Sequence, residues 1–208
     1  MIYKKDGIQP QDDLHAIALQ GTNAMGLDFR LDSDQLVKMI SSRAGIIPDY
    51  SRERLATAQD KATKPVERLL RVGIFADEMP QSIVTRVFNF DLDVVELRGE
   101  ELPTMIENFR RTVVPDIQPN VKIWKTITVC SVDDLSRAKP YYNIADAIVF
   151  RFETDGETVC SLLQTTMAEI LTCSVPFLID APLTAEQQTA IAEHANDNLI
   201  GFSQNILS

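Results

Sequence analysis

The stretch ADAIVFRF, Ala145–Phe152, is an apolar run that carries an arginine near its end, Arg151. Arg98 stands likewise after VVEL, and Arg30 follows LDF. A guanidinium is a planar fork of donors that suits phosphate or carboxylate and holds its proton with a pKa above about 12. Arg98 and Arg151, with Arg30, could form an anion-binding pocket. The competing reading, that they are solvated or paired with Glu96, Glu100 and Glu101, is preferred. The cysteines, Cys130, Cys160 and Cys173, show no metal-type spacing and read as reduced, small apolar residues.

These residues need elements to place them. Short apolar runs alternate with amphipathic stretches, the pattern of βα units on a parallel sheet. Strands are predicted at Ala24–Phe29, Val72–Phe75, Val94–Leu97, Val121–Trp124, Ala147–Phe150, Pro176–Ile179 and Leu199–Phe202, with a weaker first one at Ile2–Lys5. Between them, Leu102, Met105, Ile106 and Phe109 have helical spacing, as do Ile83, Val84, Val87 and Phe88. Leu14, Ile17 and Ala18 form a third stripe. Ser131 with Asp134, and Thr184 with Gln187, read as helix starts. Eight strands with helices between them predict a single α/β domain over 1–208, a (β/α)8 TIM barrel. An open doubly wound sheet would want a Gly-rich turn after its first strand, and KKDGIQP is not one. The polar segment Ser51–Lys64 reads as a loop in preference to a solvated helix. Barrel chemistry gathers at the C-terminal ends of strands. His15 and His194 fall in predicted helices and read as surface residues. Trp124 reads as packing, and Lys125 beside it is within reach of the barrel mouth.

The net charge of −10 and the lack of a basic run argue against nucleic acid or an acidic membrane as partner. No run of about eighteen apolar residues is present. The start, MIYKKDG, has no signal-peptide core, so a cytoplasmic location is expected.

Six segments, in order, resemble the phosphoribosylanthranilate isomerase family of tryptophan biosynthesis. They are YKKDGIQ (Tyr3–Gln9), AMGLDF (Ala24–Phe29), RVGIFADE (Arg71–Glu78), LDVVELRGEE (Leu92–Glu101), ADAIVFRF, and PFLIDAPLTAE (Pro176–Glu186). The resemblance implies an Amadori rearrangement of N-(5-phosphoribosyl)anthranilate, a phosphorylated substrate, with no cofactor and no metal. It implies a general base at the end of the first strand, at Asp6, and a general acid at the end of the sixth, at Arg151. The family has cysteine and aspartate there. It also implies substrate or anion contacts at Gln35, Arg98, Ala181, Pro182 and Ser203.

At those positions this chain differs from the family. Arginine is a very poor general acid near neutral pH. Gln35 replaces an arginine and Arg98 a histidine. Glu96 replaces a glutamine, and TDGET (Thr154–Thr158) stands where a glycine-rich stretch is usual. Ala181-Pro182 replaces the Gly-Gly whose amides would hold phosphate, and proline has no N–H to offer. An ion pair between Asp6 and Arg151 is expected across the mouth, weakening Asp6 as a base. The last strand leaves no room for the usual final helix. Its absence predicts an exposed patch, a different packing or a partner such as a second copy. Two classes of function follow: an isomerase homologue of lost or much reduced activity, a pseudoenzyme, or a non-catalytic barrel that binds an anionic metabolite or a protein partner.

Overall fold

The computed structural model describes residues 1–8, 20–37, 39–42, 45–48, 69–116, 118–153 and 156–205. The stripe of Leu14, Ile17 and Ala18, His15, Ser51–Lys64 and the start of TDGET lie outside these residues. The strands are β1 (Ile2–Asp6), β2 (Ala24–Asp28), β3 (Met39–Ser42), β4 (Gly45–Pro48), β5 (Leu70–Phe75), β6 (Val94–Leu97), β7 (Lys122–Thr128), β8 (Ala147–Arg151), β9 (Phe177–Asp180) and β10 (Leu199–Asn205). Helices α1 (Pro80–Phe90), α2 (Pro103–Asp116), α3 (Gly156–Ile170) and α4 (Ala185–His194) follow β5, β6, β8 and β9, and a 3-10 helix, Val132–Tyr141, follows β7.

Eight strands close a parallel barrel in the order β1-β10-β9-β8-β7-β6-β5-β2. All eight predicted strands are present in it. The antiparallel hairpin β3–β4 is additional, and four residues a side are too few for a periodic signal. β10 runs three residues past the predicted end, so Ser203 lies within the strand and is fully buried.

The inward faces of the strands divide the bore into two zones. Ala24, Val72, Val94, Trp124, Ala147 and Leu178 fill the N-terminal end with apolar side chains, so Trp124 is core. Because side chains alternate along a strand, Lys4 and Asp6 share one face of β1, and Glu96 and Arg98 lie two apart at the end of β6. These charged positions occupy the C-terminal end, the mouth.

Outside the barrel, α1 buries Ile83, Val87 and Phe90. Each such side chain stabilises the fold by about 1.5–3 kcal/mol. Phe88, predicted for that face, is 63% exposed and Phe90 takes its place. Leu102 is 66% exposed because α2 begins only at Pro103. Ile106 and Phe109 carry the buried stripe. Both predicted helix starts form. Asp134 accepts from the N–H groups of Cys130 (3.0 Å) and Ser131 (2.9 Å). Thr184 and Gln187 cap each other at 3.3 and 2.8 Å. Among the described residues no helix is long and apolar enough to cross a membrane.

Candidate active site

Asp6 ends β1 inside the bore and is buried. Its Oδ1 lies 2.9 Å from Lys4 Nζ and its Oδ2 accepts from Arg98 Nη2 at 2.5 Å. Room for the carboxylate comes from Gly26 on the paired strand β2: a Cβ there would sit 2.0 Å from Asp6 Oδ1. Glu96 bridges the same two cations. It pairs with Lys4, accepts from Arg98 Nε at 2.6 Å and accepts from Thr126 Oγ1 at 3.0 Å. Burial alone would raise the Glu96 pKa. Arg98 and Lys4 outweigh it and hold this carboxyl well below the usual carboxylate range. Burial likewise works against the charge on Arg98, but Glu96, Asp6 and Asp180 hold its pKa well above the ordinary value.

Arg151 ends β8, as predicted, but it does not pair with Asp6. Its Nε lies 2.8 Å from Glu153 and 3.9 Å from Asp180. Asp6 is taken by cations closer in the bore, Lys4 on its own strand and Arg98 from β6. The preferred reading of Arg98, paired with Glu96, is what the geometry shows. Arg30 is also paired: its Nη2 lies 2.7 Å from Asp28 Oδ2, which Ser33 Oγ also reaches at 2.7 Å. Lys125 turns aside from the bore, onto the carbonyls of Leu97 (3.3 Å) and Gly99 (2.5 Å) and onto Glu101 Oε2 (3.0 Å).

The remaining predicted contacts surround this network. Gln35 is half-buried and lies against Gly7, whose φ of +78° suits glycine; a Cβ there would meet Gln35 Nε2 at 2.4 Å. After β9, the Ala181 N–H donates to the Ser203 carbonyl at 3.3 Å and the Leu183 N–H to the Ala181 carbonyl at 2.8 Å. Pro182 between them has no N–H, so this turn presents no unoccupied backbone donor. Ser203, in register between Lys4 and Asp180, has a buried Oγ without a hydrogen-bond partner among the described residues. His194 is exposed in the last turn of α4. Cys130 and Cys173 are free thiols, exposed and buried respectively. Among the described residues no cluster could hold a metal ion.

Three members of the network carried no functional reading in the sequence: Lys4, Thr126 and Asp180. Asp180 ends β9, paired with Arg151 and Ser203 on its two sides. Burial is the largest influence on it and raises its pKa. Arg98 opposes this and Asp6 reinforces it, leaving the carboxyl above its ordinary value. The alternation that places Lys4 with Asp6, and Glu96 with Arg98, was the available signal for the first of these residues.

No family model matches the chain. It is 26% identical over 144 residues to the N-(5'-phosphoribosyl)anthranilate isomerase of Paramagnetospirillum magneticum, covering 69% of this chain and 57% of the relative. The chain thus spans less than two thirds of that relative's length. The crystal structure of phosphoribosyl anthranilate isomerase from Thermotoga maritima superposes with a TM-score of 0.69 at 18% identity, covering 99% of this chain and 88% of that one. A crystal structure of phosphoribosyl anthranilate isomerase in complex with reduced 1-(o-carboxyphenylamino)-1-deoxyribulose 5-phosphate does so at 0.66, with 18% identity, 99% of this chain and 88% of that one. In sequence the chain is similar to curated phosphoribosylanthranilate isomerases, and in fold it is the same closed parallel (β/α)8 barrel as their solved structures.

Proposed function

We propose that this chain is a homologue of the tryptophan-biosynthesis isomerase whose activity on N-(5-phosphoribosyl)anthranilate is lost or much reduced. The observation that carries this reading is the fixing of the Asp6 carboxylate between Lys4 and Arg98. A base must reach a proton of the substrate, and this carboxylate is already engaged inside the bore, Oδ1 by Lys4 and Oδ2 by Arg98. An arginine at the acid position compounds the loss, since a guanidinium is a very poor general acid near neutral pH. The turn after β9 adds a third deficit, with Pro182 in place of a backbone donor to phosphate. Fold and descent do not by themselves preserve chemistry.

Expression of the chain in a tryptophan auxotroph that lacks the isomerase tests the reading. Failure to grow, or slow growth, without tryptophan supports it; growth at the normal rate overturns it.

A further inference from the structure

Among the described residues, one carboxyl of the bore has cations near it but none at hydrogen-bonding distance. Lys4 and Arg98 are its deeply buried cations, with side chains 0% and 5% exposed. Asp6, Glu96 and Asp180 are its carboxyls, at 2%, 0% and 8%. Asp6 and Glu96 both receive hydrogen bonds from the two cations. Among the described residues Asp180 receives none: Arg98 Nη2 stands 3.6 Å away and Arg151 Nε 3.9 Å away. Arg151 is more exposed and is engaged by Glu153 at 2.8 Å. A buried carboxyl without a donor is most stable carrying its own proton.

We propose that Asp180 is the proton donor of this mouth, in place of the residue at position 151 on the adjoining strand. The inference rests on the family reading of the mouth and names the group through which residual turnover runs. Arg151 and Asp180 are register partners on β8 and β9, so the donor moves by one strand and stays at the same height in the bore. In that role the Asp180 O–H gives its proton to the substrate's ring oxygen as the ring C–O bond breaks. The electron pair of that bond goes to the oxygen, and the lone pair of the substrate's anthranilate nitrogen forms a C=N bond to the carbon it leaves. The carboxylate left behind is met by Arg98 and Arg151, both already within 4 Å. The raised pKa of Asp180 agrees with this role. Among the described residues the charged groups acting on it are Arg98 of β6, Asp6 and Lys4 of β1 and Arg151 of β8; Ser203 of β10 is its neutral neighbour.

The test is calorimetric binding of reduced 1-(o-carboxyphenylamino)-1-deoxyribulose 5-phosphate to the full chain and to Asp180→Asn, from about pH 5 to pH 9. The probe is open-chain and presents the oxygen that ring opening frees. Its own phosphate and carboxyl titrate identically against both proteins, so the ratio of the two affinities isolates Asp180. The expected result is a wild-type affinity that falls relative to the variant by about tenfold per pH unit above the Asp180 pKa. A ratio independent of pH overturns the proposal alone. Absence of binding by both proteins overturns the family reading of the mouth and the proposal with it. Should Asp180→Asn not fold, a carbon-13 titration of the aspartate carboxyls in the wild-type protein decides. One carboxyl titrating above the ordinary range supports the assignment, and none doing so refutes it.

Discussion

Arg98 Nη2 reaches Asp6 Oδ2 at 2.5 Å, from a strand three places around the barrel. One guanidinium therefore ties the end of β6 to the end of β1, and Glu96 and Lys4 close the loop beneath it. The mouth is held by charge where the other end of the bore is held by apolar packing.

Removing one member of this lattice leaves its partners buried and uncompensated. Glu96→Ala is expected to cost about 3–5 kcal/mol in urea unfolding. Replacing the pair with apolar side chains, Lys4→Met with Glu96→Leu, should recover much of that, because neither charge is then buried alone. A double variant as unstable as Glu96→Ala would contradict the account.

Gly26 is needed for the space it leaves beside Asp6. Gly26→Ala places a Cβ 2.0 Å from Asp6 Oδ1 and should destabilise the fold by about 1–3 kcal/mol. Shortening the neighbour with Asp6→Ala should relieve most of the overlap. A double-mutant cycle is expected to give a coupling of about 0.5–3 kcal/mol, and purely additive losses would show that the two positions do not meet.

Stability should respond to pH in opposite senses at two carboxyls. The pKa of Asp180 is raised on folding, so the folded chain binds more protons there and stability falls as pH rises from the unfolded value. Asp180→Asn removes this penalty, and its melting-temperature gain over wild type should grow from about pH 4 towards neutrality. The pKa of Glu96 is lowered on folding, so its contribution is present above the unfolded value and disappears on acidification. A gain for Asp180→Asn that is the same at acid and neutral pH would show that Asp180 folds as an ordinary carboxylate.

Asp134 accepts three hydrogen bonds at the start of the 3-10 helix, from the Cys130 and Ser131 amides and the Ser131 hydroxyl. Asp134→Ala should cost about 1 kcal/mol in chemical unfolding. A loss below about 0.3 kcal/mol would mean that water replaces the cap without penalty.

The barrel was legible because its strands are buried on both faces and read as near-continuous apolar runs between turn signals. Asp6, Arg98 and Arg151 stood out as charges at the ends of such runs. Which charge meets which was not legible: Asp6 and Arg151 both end strands at the mouth, yet the partners are set by side-chain reach across the bore. Lys4 was hidden because IYKKD is the weakest strand signal, and two adjacent lysines read as solvated. Asp180 was passed over as the end of FLID, beside the more conspicuous Ala181-Pro182. Its role depends on how many cations point inward, a sum that only the closed barrel displays.

The central claim is that an occupied mouth does little isomerisation. Steady-state turnover of N-(5-phosphoribosyl)anthranilate by the purified chain, beside the Paramagnetospirillum magneticum relative under the same conditions, tests it most directly. Misplacing a general acid or base typically costs 10²–10⁴-fold. The account predicts a kcat/KM at least about 10³-fold below that of the relative. A value within about tenfold of the relative would contradict it.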